Sequence, residues 1–454
     1  MTASVETPLT ASAGLSLRRN FMWMLGGNIF YALCQWAIII VLAKMTNPLM
    51  VGQFSLGLAI STPVIMLANL QLRIVQATDV QRAYRFGEYL GLRTATTSMA
   101  FLVIAAIATL ISHEPKTTLV VIAVAVAKSI ESISDCFYGL FQLNDRLDQS
   151  GISMMIRGAL SVAGMSTVLY FTRDVLWGVI AMAAAWFTAL LLFDAQRGRR
   201  FVRGELEPAA PFHTWIDGWK SLRPRYTFSR QWMLTRIAFP LGIVMTLGSL
   251  NLNVPRYFVQ SAMGETELGV FSTMAYTMTA IGTVIDAMAR AAVPKLARYY
   301  ISGRIAAFRS LLLKMSGMAG ALGILAVVFI MLFGSKVLLI LYGPDYAAYA
   351  SVLVWLTGAS GISAVALLLT SGLDSAKRFR VQVPMFAAVV AVNAIACAIL
   401  VPRYGLTGAA IAPLVAAVVH LVIASGLVGY LCSTGKSAAA VVPAELSDPW
   451  GAGL

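Results

Sequence analysis

The stretch MSGMAGALGILAVVFIMLFGS, residues Met315–Ser335, contains no formally charged side chain. An α-helix rises 1.5 Å per residue and therefore needs about twenty residues to cross the hydrocarbon core of a bilayer. Because that core offers no water to backbone amides, a segment that crosses it must satisfy them internally, as a helix does. The stretch is therefore predicted to be a membrane-spanning helix.

Similar apolar blocks recur along the chain, for example at Trp23–Ala43, Val51–Gln71 and Val175–Phe193. The 454 residues are 59% hydrophobic and 12% charged, whereas a soluble chain carries roughly 25% charged residues. We predict an all-α integral membrane protein with about twelve transmembrane helices and no substantial water-soluble domain. The predicted spans are residues 23–43, 51–72, 93–112, 117–142, 152–172, 175–194, 237–256, 268–289, 312–335, 348–373, 382–402 and 406–432.

The basic residues predict the orientation of these spans. Most of the 34 Lys and Arg residues fall in every second connection between the spans. Because cytoplasmic loops carry the excess of basic residues in membrane proteins, both termini are predicted to be cytoplasmic. Cytoplasmic retention and contact with anionic membrane lipids also account for the formal net charge of +14, so we expect no nucleic-acid partner.

A long basic connection divides the chain into two halves of six spans. The predicted segments are a cytoplasmic tail at 1–22, an N-terminal lobe at 23–194, a basic cytoplasmic linker at 195–236, a C-terminal lobe at 237–432 and a cytoplasmic tail at 433–454. The halves share a short motif, VGQFS at Val51–Ser55 and LGVFS at Leu268–Ser272. Since both halves begin inside, this pattern predicts two six-helix bundles related by a pseudo-twofold axis along the membrane normal.

Four motifs carry a resemblance to a known family. They are GQFSLG from Gly52, FYGLFQ at Phe137–Gln142, LYGPDY at Leu341–Tyr346 and PRYGLTGAA at Pro402–Ala410. With these motifs and its layout of six plus six spans, the chain resembles the polysaccharide-export (Wzx-type) branch of the multidrug/oligosaccharidyl-lipid/polysaccharide exporter superfamily.

The resemblance implies a V-shaped pair of bundles around a central cavity. It further implies a flippase of the bacterial inner membrane that moves a polyprenyl-pyrophosphate-linked oligosaccharide to the outer leaflet by alternating access. The product would enter surface or exopolysaccharide assembly, with other polysaccharide-assembly proteins as partners. We expect no cofactor, and coupling to a proton or sodium gradient is left open.

Three other functions are weighed against this one. A cation-coupled multidrug exporter would have a smaller, more apolar or acidic cavity. A peptidoglycan-precursor (lipid II) flippase typically carries several arginines in its first two spans, whereas span one here has only Asn28 and Gln35 as strongly polar groups. A polytopic glycosyltransferase or ligase is less favoured, because the sequence shows no metal-ligand cluster or nucleophile motif. We therefore do not expect an enzyme.

The fourth span carries three charged residues, Lys128, Glu131 and Asp135. Their spacing of three and four residues places them on one face of a helix, and charges within a bilayer are costly and usually functional. They either line the transport pathway and couple to a cation, or form an internal pair that stabilises the bundle. We favour the structural interpretation for Lys128 and Glu131 and the pathway for Asp135.

Other candidates for cargo contact lie near span ends. Arg73 and Arg290 suit a pyrophosphate because guanidinium groups bind phosphate oxygens bidentately, although Asp286 lies where it could pair with Arg290. The remaining cavity candidates are Asn28, Gln35, Asn251, Asn253 and Arg256. Arg157 is expected to extend its side chain towards the cytoplasm, and His420 to be packed and hydrogen-bonded.

Overall fold

The computed structural model describes residues 15–79, 81–111, 114–206, 222–376, 378 and 381–438. Within these residues the secondary structure is helical, and no strand is present. The helices are α1 (Leu17–Met45), α2 (Pro48–Asn69), α3 (Leu72–Thr78), α4 (Phe86–Ile111), α5 (Pro115–Leu143), α6 (Leu147–Thr172), α7 (Val175–Ala189), α8 (Gln196–Leu206), α9 (Phe228–Met263), α10 (Glu265–Ile301), α11 (Ile305–Tyr342), α12 (Pro344–Ala347), α13 (Ala350–Ser375) and α14 (Gln382–Ala438). A π-helical turn, Leu190–Ala195, joins α7 to α8.

Each of the twelve predicted spans lies mainly on one of these helices, although the span 51–72 runs past the end of α2 at Asn69 and the span 175–194 continues from α7 into the π-helical turn. Among the described residues, eight helices are long and apolar enough to cross a membrane, and a ninth is added if the bent pair within α9 forms one span. Two further helices, α5 and α10, have the length but carry more charged residues. Helix α14 is 57 residues long and covers two predicted spans. Gly405 divides it at a φ of 57°, a left-handed conformation that glycine adopts without a Cβ clash.

Large apolar side chains cover the outside of the helices. Leu110, Phe171, Ile324 and Leu332 are each well over half exposed. A soluble protein rarely leaves so many large apolar groups in water, whereas lipid tails are the natural contact for such a surface. The prediction of an all-α, multi-pass membrane protein is confirmed.

The chain forms two compact units, Met1–Thr246 and Leu247–Leu454. In the first unit α1 packs against α6, and α5 packs against α2, α4 and α7. A Cβ added at Gly27 would lie 2.6 Å from the Cα of Gly151, so α1 and α6 approach closely only because both positions are glycine. The N-terminal part of α9 joins the core of this unit through Leu234 and Ala238.

In the second unit α13 packs against α11 and α14, and α10 also contacts α13. One hydrophobic cluster of this unit contains Leu296, Phe308, Leu312 and Leu373. The division between the units falls within α9, and the domain boundaries at 194–195 and 236–237 stay predictions.

Candidate functional site

Helix α5 presents a polar stripe along one face. Its members are Lys128, Glu131, Asp135, Tyr138 and Gln142, each three or four residues from the next. At 1.5 Å per residue, Glu131 lies about 18 Å from the C-terminal end of α5 and about 24 Å from its start. The centre of the stripe therefore lies near the middle of α5, which in a helix that crosses a bilayer is the region where an uncompensated charge is most costly.

Glu131 is the shared acceptor of three groups. The Nζ of Lys128 lies 2.8 Å from Oε2, and Nη2 of Arg157 lies 3.2 Å from Oε1. The hydroxyl of Tyr31 on α1 donates to the same Oε1 at 2.9 Å. Lys128 and Glu131 thus form the ion pair considered from the sequence, but a second cation and a phenol complete it.

Arg157 does not extend towards the membrane surface, and the expectation that it would is wrong. Its side chain is 3% exposed and lies about ten residues inside α6. Its guanidinium stacks near the rings of Tyr31, Tyr138 and Trp186, at 4.7, 5.7 and 5.3 Å from their centroids. Cation–π contacts of this kind stabilise a desolvated guanidinium by up to about 2 kcal/mol, which is why Arg157 can turn inward here.

Asp135 is held between two arginines. Nη2 of Arg93, which is 0% exposed, lies 3.1 Å from Oδ2, and Nη1 of Arg73 lies 3.5 Å from Oδ1. Arg93 also donates to the backbone carbonyl of Asn69 at 3.1 Å, and Arg73 donates through Nε to Gln142 at 3.3 Å. Arg73 is therefore already engaged by protein groups, although it stays partly exposed. The sequence predicted Arg93 as the first residue of a span, at its boundary with a loop, and its ion pair with Asp135 was not expected.

Asp194 is a further buried carboxylate that the sequence reasoning missed. It lies in the π-helical turn after α7 and is 0% exposed. Ser134 and Ser153 lie close to it, but neither makes a hydrogen bond of good geometry with its oxygens. Arg157 is the cation that interacts with it electrostatically. π-helical turns are frequent at functional sites, and an acidic residue at the end of an apolar block was the available signal.

We call these groups the first-unit network. It comprises four cations and three carboxylates: Arg73, Arg93, Lys128, Arg157, Glu131, Asp135 and Asp194. Lys128, Glu131, Arg73 and Asp135 are between 21 and 28% exposed, whereas the other three are buried. A partly accessible row of charges is thus backed by a buried row, with cations in excess.

The second unit holds a different polar region, the second-unit cluster: Asn251, Asn253, Arg256, Tyr276 and Asn393. Asn393 donates to the backbone carbonyl and to the Oδ1 of Asn251, at 2.8 and 2.9 Å. Buried Arg256 donates to Asn253 Oδ1 at 2.7 Å and stacks 4.7 Å from the centroid of Tyr276. Among the described residues Arg256 has no carboxylate partner, and its Nε has no hydrogen-bond acceptor. Asn253 and Arg256 were expected here, whereas Tyr276 and Asn393 were not.

The other candidates contribute less to either region. Asn28 donates to the carbonyl of Met24 in its own helix, and the buried amide nitrogen of Gln35 has no partner among the described residues. Asp286 and Arg290 lie on α10, but their side chains are outside the part of the chain that the structure describes. The candidate roles of all these residues stay predictions.

Two smaller expectations concern histidine and metals. His420 hydrogen-bonds with Thr370 at 3.1 Å and lies against the ring of Phe386, as a packed histidine should. Within the described ranges no group of three or more His, Cys, Asp or Glu residues could hold a metal ion.

The sequence and the fold of this chain are both similar to those of known proteins. No family model matches the chain. The capsular polysaccharide biosynthesis protein CapF of Staphylococcus aureus is 24% identical over 393 residues, which cover 87% of this chain and 94% of that protein. A MOP superfamily transporter from Pyrococcus furiosus superposes with a TM-score of 0.61 at 16% identity, covering 92% of this chain and 96% of that one. A mutant of the Vibrio cholerae MATE transporter VcmN gives 0.59 at 13% identity, with 93% and 98% covered.

The chain therefore has the fold of the MATE transporters of the MOP superfamily, the multidrug/oligosaccharidyl-lipid/polysaccharide exporters. The similarity to CapF extends over nearly the whole of both chains. The resemblance to the polysaccharide-export branch, found from four short motifs, is confirmed.

Proposed function

We propose that this protein is a flippase that moves a polyprenyl-pyrophosphate-linked oligosaccharide from the inner to the outer leaflet of the bacterial inner membrane. It would act by alternating access and supply units for surface or exopolysaccharide assembly. Both termini would be cytoplasmic. The observation that carries the proposal is the first-unit network, in which four cations outnumber three carboxylates inside a helical unit.

The excess of cations over carboxylates distinguishes the two main candidate functions, which are a flippase for a lipid-linked oligosaccharide and a multidrug exporter. An exporter of cationic drugs needs to attract its cargo, and a surplus of arginine and lysine would oppose this. A pyrophosphate carries negative charge that must leave the headgroup region, so cationic side chains lower the cost of its passage. Lys128 and Arg73 are the partly exposed cations of the network and the proposed contacts. The similarity to a capsular polysaccharide biosynthesis protein supports the same choice.

The driving force is proposed to be a proton or sodium gradient. The carboxylates of the first-unit network, Glu131, Asp135 and Asp194, are the groups able to take up a cation during the cycle. Asp194 is the most favoured of them, because it lacks a direct ion pair among the described residues while the other two have arginine or lysine partners. Loading of a buried carboxylate with a proton would remove the cost of keeping it ionised.

A deletion strain tests the proposal. We expect loss of surface polysaccharide and accumulation of a polyprenyl-linked oligosaccharide that stays inaccessible from the periplasmic side, both restored by the wild-type gene. Accumulation of the peptidoglycan precursor instead would identify the lipid II alternative. Normal polysaccharide together with raised sensitivity to cationic drugs would identify the multidrug alternative.

Complementation with variants tests the cationic groups. Arg73→Ala combined with Arg290→Ala should insert normally but restore little polysaccharide, and Lys should substitute only partly because it lacks the planar fork. Arg18→Ala, at an exposed arginine in the first turn of α1, is the matched control and should restore export fully. Full export by the double variant would remove both arginines from the mechanism.

A further inference from the structure

A basic pocket lies on the first unit, apart from the first-unit network. It has a volume of about 230 Å³ and is lined by Arg146, Gln149, Arg197, Arg200 and Phe201. The first two residues come from the N-terminal end of α6 and the last three from α8, the helix that continues α7 beyond the π-helical turn. The two helices thus bring three guanidinium groups around one cavity.

The positive charge of this pocket is only partly compensated. Arg146 forms a bidentate pair with Asp148, Nε to Oδ1 and Nη2 to Oδ2, both at 2.9 Å. Gln149 donates to the same carboxylate at 2.7 Å, so Asp148 is fully engaged with its neighbours. Arg197 and Arg200 are exposed and form no ion pair with any described carboxylate. Two guanidinium groups therefore remain available to an anion.

The position of the pocket relative to the exposed apolar surface of α7 indicates its level in the membrane. Phe187 and Leu192 point outward from α7 and the π-helical turn and are about half exposed or more. Arg197 follows Leu192 by five residues, about 7 Å along a helix, and its guanidinium lies 5.5 Å from the centroid of Phe193. The apolar, lipid-facing surface therefore ends one to two turns before these arginines, which places them at the level of the headgroups.

We propose that this pocket binds the phosphate of an anionic phospholipid headgroup. Arg197 and Arg200 would contact the phosphate oxygens, Arg146 would be held in place by Asp148, and the acyl chains would lie along the apolar surface of α7. Arginine favours phosphate through its planar set of donors, and basic pockets at the membrane surface bind anionic headgroups in this way. The site is independent of the cargo and of the proposed flippase activity.

Native mass spectrometry of the full-length protein in detergent tests this site, with phosphatidylglycerol, phosphatidylcholine and inorganic phosphate as probes. Arg197→Gln with Arg200→Gln should weaken phosphatidylglycerol binding by about tenfold or more, because both proposed guanidinium contacts to the phosphate are lost. The control is Arg304→Gln with Arg309→Gln, an equal charge change at exposed positions of the second unit, and it should bind like the wild type.

Three results would overturn the proposal: equal weakening in both double variants, no weakening in either, or displacement of the lipid by inorganic phosphate at equal concentration. The last would assign the pocket to a free anion. Hydrogen exchange of the unmodified protein gives a second reading that needs no variant. In phosphatidylcholine nanodiscs, addition of phosphatidylglycerol should slow exchange in α8, and unchanged exchange there counts against the site.

Discussion

The first-unit network and the second-unit cluster solve the same problem in opposite ways. Both place arginine side chains inside a helical unit at positions shielded from water. In the first unit each buried guanidinium contacts a carboxylate, Arg157 with Glu131 and Arg93 with Asp135. In the second unit the described contacts of Arg256 are with amide and carbonyl oxygens and an aromatic ring.

This difference between the two regions indicates which charged groups stabilise the fold and which could bind an anion. A carboxylate shared by two cations cannot be removed without stranding both, so the first-unit network is tightly coupled to folding. Arg256 has no such partner to strand. Its charge is incompletely compensated, so Arg256 is a further candidate contact for an anionic ligand, beside the partly exposed Arg73 and Lys128 of the first-unit network.

The largest expected effect is at Glu131. Glu131→Gln leaves Lys128 and Arg157 without their shared counter-charge and should destabilise the protein by about 3–5 kcal/mol. Lys128→Met should cost clearly less, because the contact between Arg157 and Glu131 survives. Thermal unfolding and the yield of monodisperse protein from membranes measure both.

The unequal roles of Glu131 and Lys128 also change the expectation for a double variant in which both are replaced by apolar residues. If Lys128 and Glu131 were an isolated pair, replacing both with apolar residues would restore much of the folded protein. Because Arg157 also depends on Glu131, the double variant should remain nearly as unstable as Glu131→Gln. Recovery of stability in the double variant, or equal losses of stability in the two single variants, would contradict the description of Lys128, Glu131 and Arg157 as three coupled charges.

The next effect concerns the two arginines at Asp135. Arg93→Met removes a fully buried partner and should cost about 2–4 kcal/mol, whereas Arg73→Met, at a partly exposed pair, should cost about 1 kcal/mol or less. Urea or thermal denaturation of the detergent-solubilised protein gives the comparison. If the two losses were equal, burial would not distinguish a structural arginine from a candidate cargo contact.

A smaller effect is expected at Asn393 in the second unit. Asn393→Leu removes two hydrogen bonds to Asn251 and leaves the part-buried oxygens of Asn251 without their donor, at a cost of about 1–3 kcal/mol. Asn28→Leu is the matched control, because its amide bonds only to its own helix. A change in thermal midpoint no larger than that of the control would show that the contact between Asn393 and Asn251 does not support packing.

The smallest effect on stability is expected at Arg256. Arg256→Met should change stability by no more than about 1 kcal/mol, because removal of a desolvated cation offsets the lost hydrogen bond to Asn253 and no described carboxylate is stranded. Polysaccharide export should nevertheless fall if Arg256 contacts the cargo. Destabilisation as large as that of Glu131→Gln would contradict this difference between the first-unit network and the second-unit cluster.

The helices were predictable and their ends were not, with direct consequences for the site. The third predicted span was expected to begin at residue 93 and the fifth at residue 152. The structure begins them at Phe86 and Leu147. Arg93 and Arg157 therefore lie two to three turns inside helices, not at loop boundaries.

The local pattern determined other features correctly. The spacing of Lys128, Glu131 and Asp135 placed them on one face of α5, and the structure extends that face to Tyr138 and Gln142. Periodicity suffices for this, because residues three and four apart share a helical face whatever surrounds them.

The sequence by itself therefore determined that this chain crosses a membrane as two sets of helices, which charges share a face, and which superfamily it resembles. Length, hydropathy and short motifs are local properties, and the bilayer leaves an apolar segment little choice but a helix. Only the tertiary structure decided that Arg157 turns inward. That choice depends on Tyr31, Tyr138 and Trp186, which lie on three other helices. Ion pairing inside a membrane is a property of helix packing, and no single helix contains it.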